Sequence, residues 1–209
     1  MTDSSFGTVT LLAALALVPF VVVVLTSFAK IAVVLSVLRN ALGATDVPPA
    51  IVITGVALVL SLAVMAPVGA DVYRELEPAL ARKDAAALVD AAARAREPVR
   101  RFLAKHAHAR DVDAFRDVAQ RLRHADVAAD DLAVLAPAFV TSELKEAFTI
   151  GFLLFLPFLV IDLLVSAILA SLGLTALPSA AIALPFKLLL FVLVDGWLLL
   201  GRGLMLGYM

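Results

Sequence analysis

The sequence lacks cysteine and is poor in charged residues. Without cysteine the chain has no disulfide bond, no thiolate metal ligand and no thiol nucleophile. Charged side chains make up 17% of the 209 residues and the formal net charge is −1, so the basic excess of a nucleic-acid-binding protein is missing. Hydrophobic residues reach 63% and the mean hydropathy is +1.03, whereas a soluble domain has roughly 45–50% apolar residues. This composition indicates a membrane-associated protein.

The sequence also lacks common catalytic motifs. It contains no His-Glu-x-x-His zinc motif, no Gly-x-x-x-x-Gly-Lys phosphate loop and no Gly-x-Ser-x-Gly elbow. Its three histidines are His106, His108 and His124. The first two would point to different faces of a helix and the third is distant, which does not fit a metal-binding pattern. We therefore expect no metal, no cofactor and no enzymatic activity.

The charged residues concentrate in the middle of the chain. Residues 71–146 carry 27 of the 35 charged side chains. A membrane helix needs about 20 consecutive apolar residues, and the flanking thirds provide enough for four helical segments. The sequence predicts these segments near residues 8–38, 50–70, 146–172 and 182–206.

The first apolar segment does not resemble a cleavable signal peptide, because Met1-Thr2-Asp3 provides no basic residue before the apolar core. We therefore expect this segment to be retained. The region after it carries Lys30 and Arg39 against Asp46 alone. Because positive charge in a short loop favours the cytoplasmic side, this predicts that region 71–146 lies on the opposite, periplasmic side.

The polar middle has a helical pattern. Residues 80–95 are rich in alanine, the strongest helix former. Pro98 is predicted to open a second helix, and the apolar spacing predicts a third over 111–123. Thr141 or Ser142 is expected to cap the next apolar helix.

No alternating strand pattern occurs, so the predicted fold is all-α. It consists of membrane-associated helical hairpins with a small helical extramembrane domain inserted between them. The predicted domains are an N-terminal apolar hairpin (1–70), a polar helical domain (71–140) and a C-terminal apolar hairpin (141–209).

Ionisable residues interrupt the apolar segments at Lys30, Asp162, Lys187 and Asp195. Each costs about 2.5–3.5 kcal/mol at the centre of a lipid-exposed helix. A lysine near a segment end can snorkel to the membrane surface, but aspartate is too short to do so. We expect the two acids to face protein or water. Five prolines in the apolar runs predict kinked helices in a large assembly, and they are Pro19, Pro67, Pro157, Pro178 and Pro185.

The spacing around one turn predicts a specific ion pair. With a turn centred near residue 175, Asp162 lies 13 residues before it and Lys187 lies 12 after it. In an antiparallel hairpin the two side chains therefore reach about the same depth. Asp195 is too far from Lys187 within one helix, so its partner is expected elsewhere, in another subunit. We assign the charges to hairpin and subunit packing, and they are Lys30, Arg39, Asp162, Lys187 and Asp195.

Three stretches of this sequence carry a resemblance to a known family. They are TSFAKIAVVLSVLRNALG with VPP (26–43 and 47–49), PAFVTSELKEAFTIGF with LPFLVID (137–152 and 156–162), and LPFKLLLFVLVDGW (184–197). Together they resemble the FliP/SctR family of export-gate proteins in type III secretion. The likeness is greater to the virulence (injectisome) branch than to the flagellar branch.

The resemblance implies a non-enzymatic protein of the bacterial inner membrane. It implies a homopentameric helical ring with S-type and T-type partners, associated with the autocleaving U-type switch protein. Such a ring gates the passage of unfolded substrate proteins at the base of the secretion needle, where the inner rod and needle adaptor lie. The pore-facing turn would comprise Gly173, Leu174, Thr175, Ala176, Leu177 and Pro178. In the family this turn commonly carries methionines, which are absent here.

Two other functions remain open from the residues alone. Asp162, Lys187 and Asp195 could form the relay of a small ion or solute transporter. The same acids could belong to an intramembrane aspartyl enzyme, although no surrounding signature matches one.

Overall fold

The computed structural model describes residue 16 and residues 23–43, 48–82 and 85–209. These residues contain helices and turns, and no strand occurs among them. The named helices are α1 (Phe28–Leu42), α2 (Ala50–Arg82), α3 (Ala85–His106), α4 (Ala109–Arg123), α5 (Leu132–Ser171), α6 (Ser179–Leu193) and α7 (Gly196–Leu206). The predicted all-helical character is confirmed for this part of the chain. The predicted number of hairpins and the three-domain division stay predictions.

The described residues form two compact units. The first, here called the polar unit, contains Met65–Glu143 and the described residues up to Ala29. The second, the apolar unit, contains Lys30–Val64 and Leu144–Met209. Helices α2 and α5 therefore contribute residues to both units.

Helix α1 forms the centre of the apolar unit. Its buried residues recur at helical spacing along one broad face, and they are Lys30, Ile31, Val34, Leu35, Leu38, Ala41 and Leu42. A core cluster joins Leu38 and Leu42 to Phe158 of α5, Phe191 of α6 and Leu200 of α7. Each large apolar side chain contributes roughly 1.5–3 kcal/mol when fully buried, so α1 is held mainly by packing.

Within the described ranges, two helices are long and apolar enough to cross a membrane, Ala50–Ala81 and Leu132–Ser171. A third span exists if α6 and α7 count as one bent span. Only 17% and 11% of the two apolar windows is buried within the chain. This is a membrane protein whose apolar helix faces need lipid or other chains to cover them.

The first apolar segment ends differently from the prediction. Residues 1–15 and 17–22, which include Pro19 and the possible signal region, lie outside the described part. Residues 25–27 form a turn before α1, so no single helix runs through to residue 38. Lys30 and Arg39 lie within α1 and not in a loop.

Two other helix boundaries differ from the prediction, because the residues that signalled a helix end or start lie inside longer helices. Helix α2 continues to Arg82 with Pro67 and Pro78 inside it. Helix α5 begins at Leu132 and not near 146, so Thr141 and Ser142 lie inside it. The side chain of Asp131 accepts the Ala133 N–H at 2.9 Å and caps this helix.

Pro98 does not open a helix, because it lies inside α3. The buried residues Ala91, Ala95, Pro98 and Phe102 follow one another at helical spacing on one face of α3. That continuous buried face keeps α3 a single helix. The predicted helix over 111–123 is confirmed as α4, which begins two residues earlier.

Helices α6 and α7 meet at a bend of 59°. Val194 ends α6, and Asp195 precedes α7 in the left-handed conformation with φ 51°. A Cβ on Gly196 would overlap the ring of Phe191. The break therefore depends on a left-handed residue followed by a glycine, and not on a proline.

Candidate functional site: buried charges and an exposed turn

Lys187 joins three helices of the apolar unit. Its Nζ donates to Asp162 Oδ2 of α5 at 2.7 Å and to the Ala41 carbonyl of α1 at 3.0 Å. The Lys187 side chain is only 6% exposed. Ala41 lies in the last turn of α1, where carbonyls lack helical partners and a cation is favourable. The predicted Asp162–Lys187 ion pair is confirmed, and it also caps a third helix.

The Asp162 carboxylate keeps one unused acceptor. Its Oδ1 is buried and has no hydrogen-bond partner among the described residues. The other oxygen, Oδ2, bonds Lys187, and the side chain as a whole remains 33% exposed. The pair is therefore a structural ion pair at the margin of the core.

Lys30 forms a second buried charge site. Its Nζ lies 2.8 Å from Glu146 Oε2 and 3.9 Å from the centre of the Tyr208 ring. The Lys30 side chain is only 2% exposed. The snorkelling alternative is therefore wrong for Lys30, as it is for Lys187, because both ammonium groups point into protein and are compensated there. Sequence reasoning missed Glu146 and Tyr208, since no local pattern connects them with residue 30.

Asp195 and Arg39 occupy different environments. Asp195 is exposed in the isolated chain and makes no side-chain capping bond to α7. Arg39 is half-buried in the last turn of α1, where its positive charge interacts favourably with the negative end of the helix dipole. The burial of Asp195 against another chain stays a prediction.

The segment 173–178 connects α5 and α6 as an exposed turn. Gly173 has φ +70°, and the Leu174 N–H donates to the Leu169 carbonyl at 2.9 Å. The Gly173 N–H also donates to the Ala170 carbonyl. Together these two hydrogen bonds form a Schellman motif at the end of α5, which favours glycine at the left-handed position. Leu174 and Leu177 are 45% and 47% exposed. The turn therefore displays two leucines at the end of the helices.

A buried polar cluster in the polar unit was not predicted. Ser142 Oγ accepts the His108 N–H at 2.9 Å and donates to Asp111 Oδ2 at 2.8 Å. Ser142 and Asp111 are both buried. Ser142 was expected to cap its own helix, but it lies inside α5 and satisfies the start of α4 instead. The Ser142 hydroxyl bonds the Asp111 carboxylate and not the His108 imidazole.

Several other charges of the polar unit form exposed pairs. Arg100 bonds Glu97 and Asp130, and its hydrogen bond to Glu97 lowers the pKa of that carboxyl. The Ala133 N–H and then Arg123 lower the pKa of Asp131. No group of three or more metal-ligating side chains occurs in the described ranges. The arrangement can hold helices together.

Comparison with known proteins gives the family. The FliP family model matches residues 11–204 of this chain. The chain belongs to the FliP family. The match includes the turn and all five predicted packing charges, so the resemblance seen in the three sequence stretches is confirmed.

Relatives within the FliP family cover nearly the whole chain. The chain is 49% identical to "Pathogenicity-related ORF2" of Xanthomonas campestris pv. glycines, over 93% of this chain and 92% of that protein. It is 46% identical to "Hypersensitivity response secretion protein HrcR" of Ralstonia nicotianae, over 93% of each. It is 45% identical to "Flagellar biosynthetic protein FliP" of Pectobacterium carotovorum subsp. carotovorum, over 94% of this chain and 76% of that protein.

Proposed function

We propose that this chain is a structural subunit of the type III secretion export gate. Copies of it form a ring-like helical pore, a homopentamer, through which unfolded substrate proteins cross the inner membrane. This proposal rests mainly on the match to the FliP family over residues 11–204. The names of the relatives, which concern secretion and flagellar biosynthesis, support the same process.

The apolar surface of the chain supports assembly with other chains. Helices α2 and α5 leave most of their apolar windows uncovered. Contiguous exposed apolar surface of this kind marks interaction sites. Asp195 adds to this argument, because it is an exposed acid within apolar sequence and would be costly against lipid.

The exposed turn is proposed as the pore constriction. Leu174 and Leu177 project from a Schellman ending whose backbone is fixed by two hydrogen bonds. A ring of such turns would place apolar side chains around an axis and close it to water and ions. Leucine lacks the pliability of methionine, so this constriction would seal by packing rather than by adapting its shape.

The proposed partners follow from the family. They are the S-type and T-type gate proteins, the U-type switch protein, the inner rod or needle adaptor, and the secreted substrates. The polar unit is proposed to lie on the periplasmic side of the inner membrane. The injectisome branch is favoured because the pathogenicity and hypersensitivity relatives match over 92% and 93% of their length. Two flagellar relatives match over 76% and 88% of theirs.

The mass of the purified complex tests this proposal. We expect the full chain in mild detergent to run as a complex of several 22.0 kDa copies, and to grow when the S-type and T-type proteins are co-expressed. Native mass spectrometry gives the copy number. A monomer under both conditions, or solute transport by the chain alone in liposomes, would contradict the gate function.

A matched pair of variants makes the test specific. Asp195→Asn removes the charge and keeps a residue that tolerates the left-handed conformation. We expect it to reduce the assembled fraction. Asp113→Asn removes an exposed acid of α4 and should leave the assembled fraction unchanged. An equal assembled fraction in both variants would show that Asp195 does not contribute to the contact between subunits.

A further inference from the structure

An open groove of about 420 Å³ runs along one face of α7 in the apolar unit. Its walls are Leu60 of α2 and an α7 face that includes Trp197, Gly201, Arg202 and Met205. Its volume lies within the range of roughly 300–1,000 Å³ usual for small-molecule sites. Here it is called the Arg202 groove.

Gly201 gives the Arg202 groove its depth. A Cβ at this position would meet only Leu60 Cδ2, at 3.9 Å. The space above the glycine is therefore open to an apolar chain and is not filled by neighbouring side chains.

Arg202 is the one residue with a charged side chain among those that line the groove. Arg202 is exposed and makes no hydrogen bond or ion pair with any residue that the structure describes. A guanidinium presents a rigid fork of donors that matches phosphate. An apolar groove with one unpaired cation is complementary to an amphiphile with an anionic head and an apolar tail.

We propose that the Arg202 groove binds an anionic phospholipid. The phosphate accepts hydrogen bonds from the Arg202 guanidinium, and one acyl chain lies over Gly201 against Leu60 and Trp197. Basic side chains between membrane helices are suited to anionic headgroups, and tryptophan favours the same interfacial depth. The proposal does not depend on the ring assembly.

A helix of another protein is the competing occupant. To satisfy Arg202 it would need an acid within an apolar span. A second copy of this chain offers one such acid, the exposed Asp195. Bilayers present phosphate at the interfacial depth that Trp197 and Arg202 favour, whereas Asp195 of a second copy would have to reach the groove through an apolar contact. The lipid is therefore the proposed occupant, and a protein occupant is one outcome of the test.

Trp197 provides a direct test, because it is the single tryptophan of the chain and lines the groove. The full chain is reconstituted into phosphatidylcholine vesicles that contain a small fraction of brominated phosphatidylglycerol or brominated phosphatidylcholine. We expect the brominated phosphatidylglycerol to quench Trp197 at about fivefold lower mole fraction, the factor equivalent to about 1 kcal/mol per basic side chain at an anionic surface.

Four variants separate the headgroup from the acyl chain. Arg202→Gln should abolish the preference for phosphatidylglycerol, and Arg202→Lys should retain most of it. Gly201→Leu should fill the groove and bring quenching by the two lipids to the same level. Gly203→Leu adds the same side chain to α7 where no atom lies within 4 Å, outside the groove, and should behave as the wild type.

Three results would overturn the proposal. They are equal quenching of the wild type by both lipids, an unchanged preference in Gly201→Leu, and a Trp197 that neither lipid reaches. The last result would show that a protein occupies the groove.

Discussion

At the residue scale, Lys187 carries the most consequential contacts. Replacing it by methionine leaves the Asp162 carboxylate without its cation and the Ala41 carbonyl without its donor. We expect Lys187→Met to lower the free energy of unfolding by about 3 kcal/mol, the low end for breaking a buried ion pair, because Asp162 keeps some exposure. Thermal unfolding in detergent measures this loss.

The double variant Lys187→Met/Asp162→Asn is the control for the charge. It removes the stranded carboxylate, so it should recover most of the stability and leave the cost of the lost cap, about 1 kcal/mol. A double variant no more stable than the single one would show that the charge of Asp162 is irrelevant.

The two buried lysines show what sequence could establish about single residues. The Asp162–Lys187 pair was predictable because its members lie at nearly the same distance from a recognisable turn. The Lys30–Glu146 pair spans 116 residues, and nothing in the local spacing relates its members. Asp111 and Ser142 were missed for the same reason, since their bond joins two different helices.

At the scale of elements, Asp131 caps the longest helix in the described part of the chain. Asp131→Ala should lower the melting temperature by a few degrees, because α5 loses its N-cap. Asp131→Asn keeps an acceptor and should cost less. A larger loss in the asparagine variant than in the alanine variant would contradict the capping role.

The same cap predicts a pH dependence. The pKa of Asp131 is lowered in the folded protein by the Ala133 N–H and Arg123, so the ionised carboxylate stabilises the fold. This contribution is present above the ordinary value of 3.8 and is lost as pH falls through the lowered folded-state pKa. Unfolding measured from pH 5 downward should show a steeper loss for wild type than for Asp131→Asn.

The break between α6 and α7 yields a matched pair of glycine variants. Gly196→Ala places a methyl group inside the ring of Phe191 and should cost about 1–3 kcal/mol through overpacking. Gly203→Ala meets no atom within 4 Å and should stabilise α7 by up to about 1 kcal/mol. Melting temperatures that change in the same direction for both variants would argue against this packing.

Helix type was easier to predict than helix boundaries. Apolar length and alanine content indicated helices correctly. Pro98 led to a wrong helix boundary, because proline usually marks a helix start. Here the buried face continues on both sides of Pro98 and keeps α3 a single helix. The start of α5 was missed because Asp131 was not recognised as the capping residue.

At the scale of the whole molecule, the turn should control leakage through the proposed pore. Leu174→Ala/Leu177→Ala shortens both exposed leucines, so a closed complex should pass ions several-fold faster. Conductance of the reconstituted complex measures this. Leu80→Ala/Leu122→Ala alters two exposed leucines of the polar unit and should match the wild type. An unchanged conductance in the turn variant would remove these leucines from the constriction.

The grouping of residues into units could not be predicted from sequence. Residues 30–64 and 144–209 form one unit although the polar middle separates them. Composition separates apolar from polar stretches, but it does not tell which apolar stretches pack together. The family motifs supplied the function without supplying that arrangement.

The bend after α6 has a consequence for biogenesis. With 15 residues, α6 is about 22 Å long, and the 11 residues of α7 add about 17 Å in a different direction. Neither rod alone matches a hydrocarbon layer of about 30 Å. A newly made subunit can therefore cross the layer here only with α6 and α7 as one bent span, which carries the exposed Asp195 at its break until its neighbours arrive. Cells that produce this chain in excess of its partners should degrade the surplus.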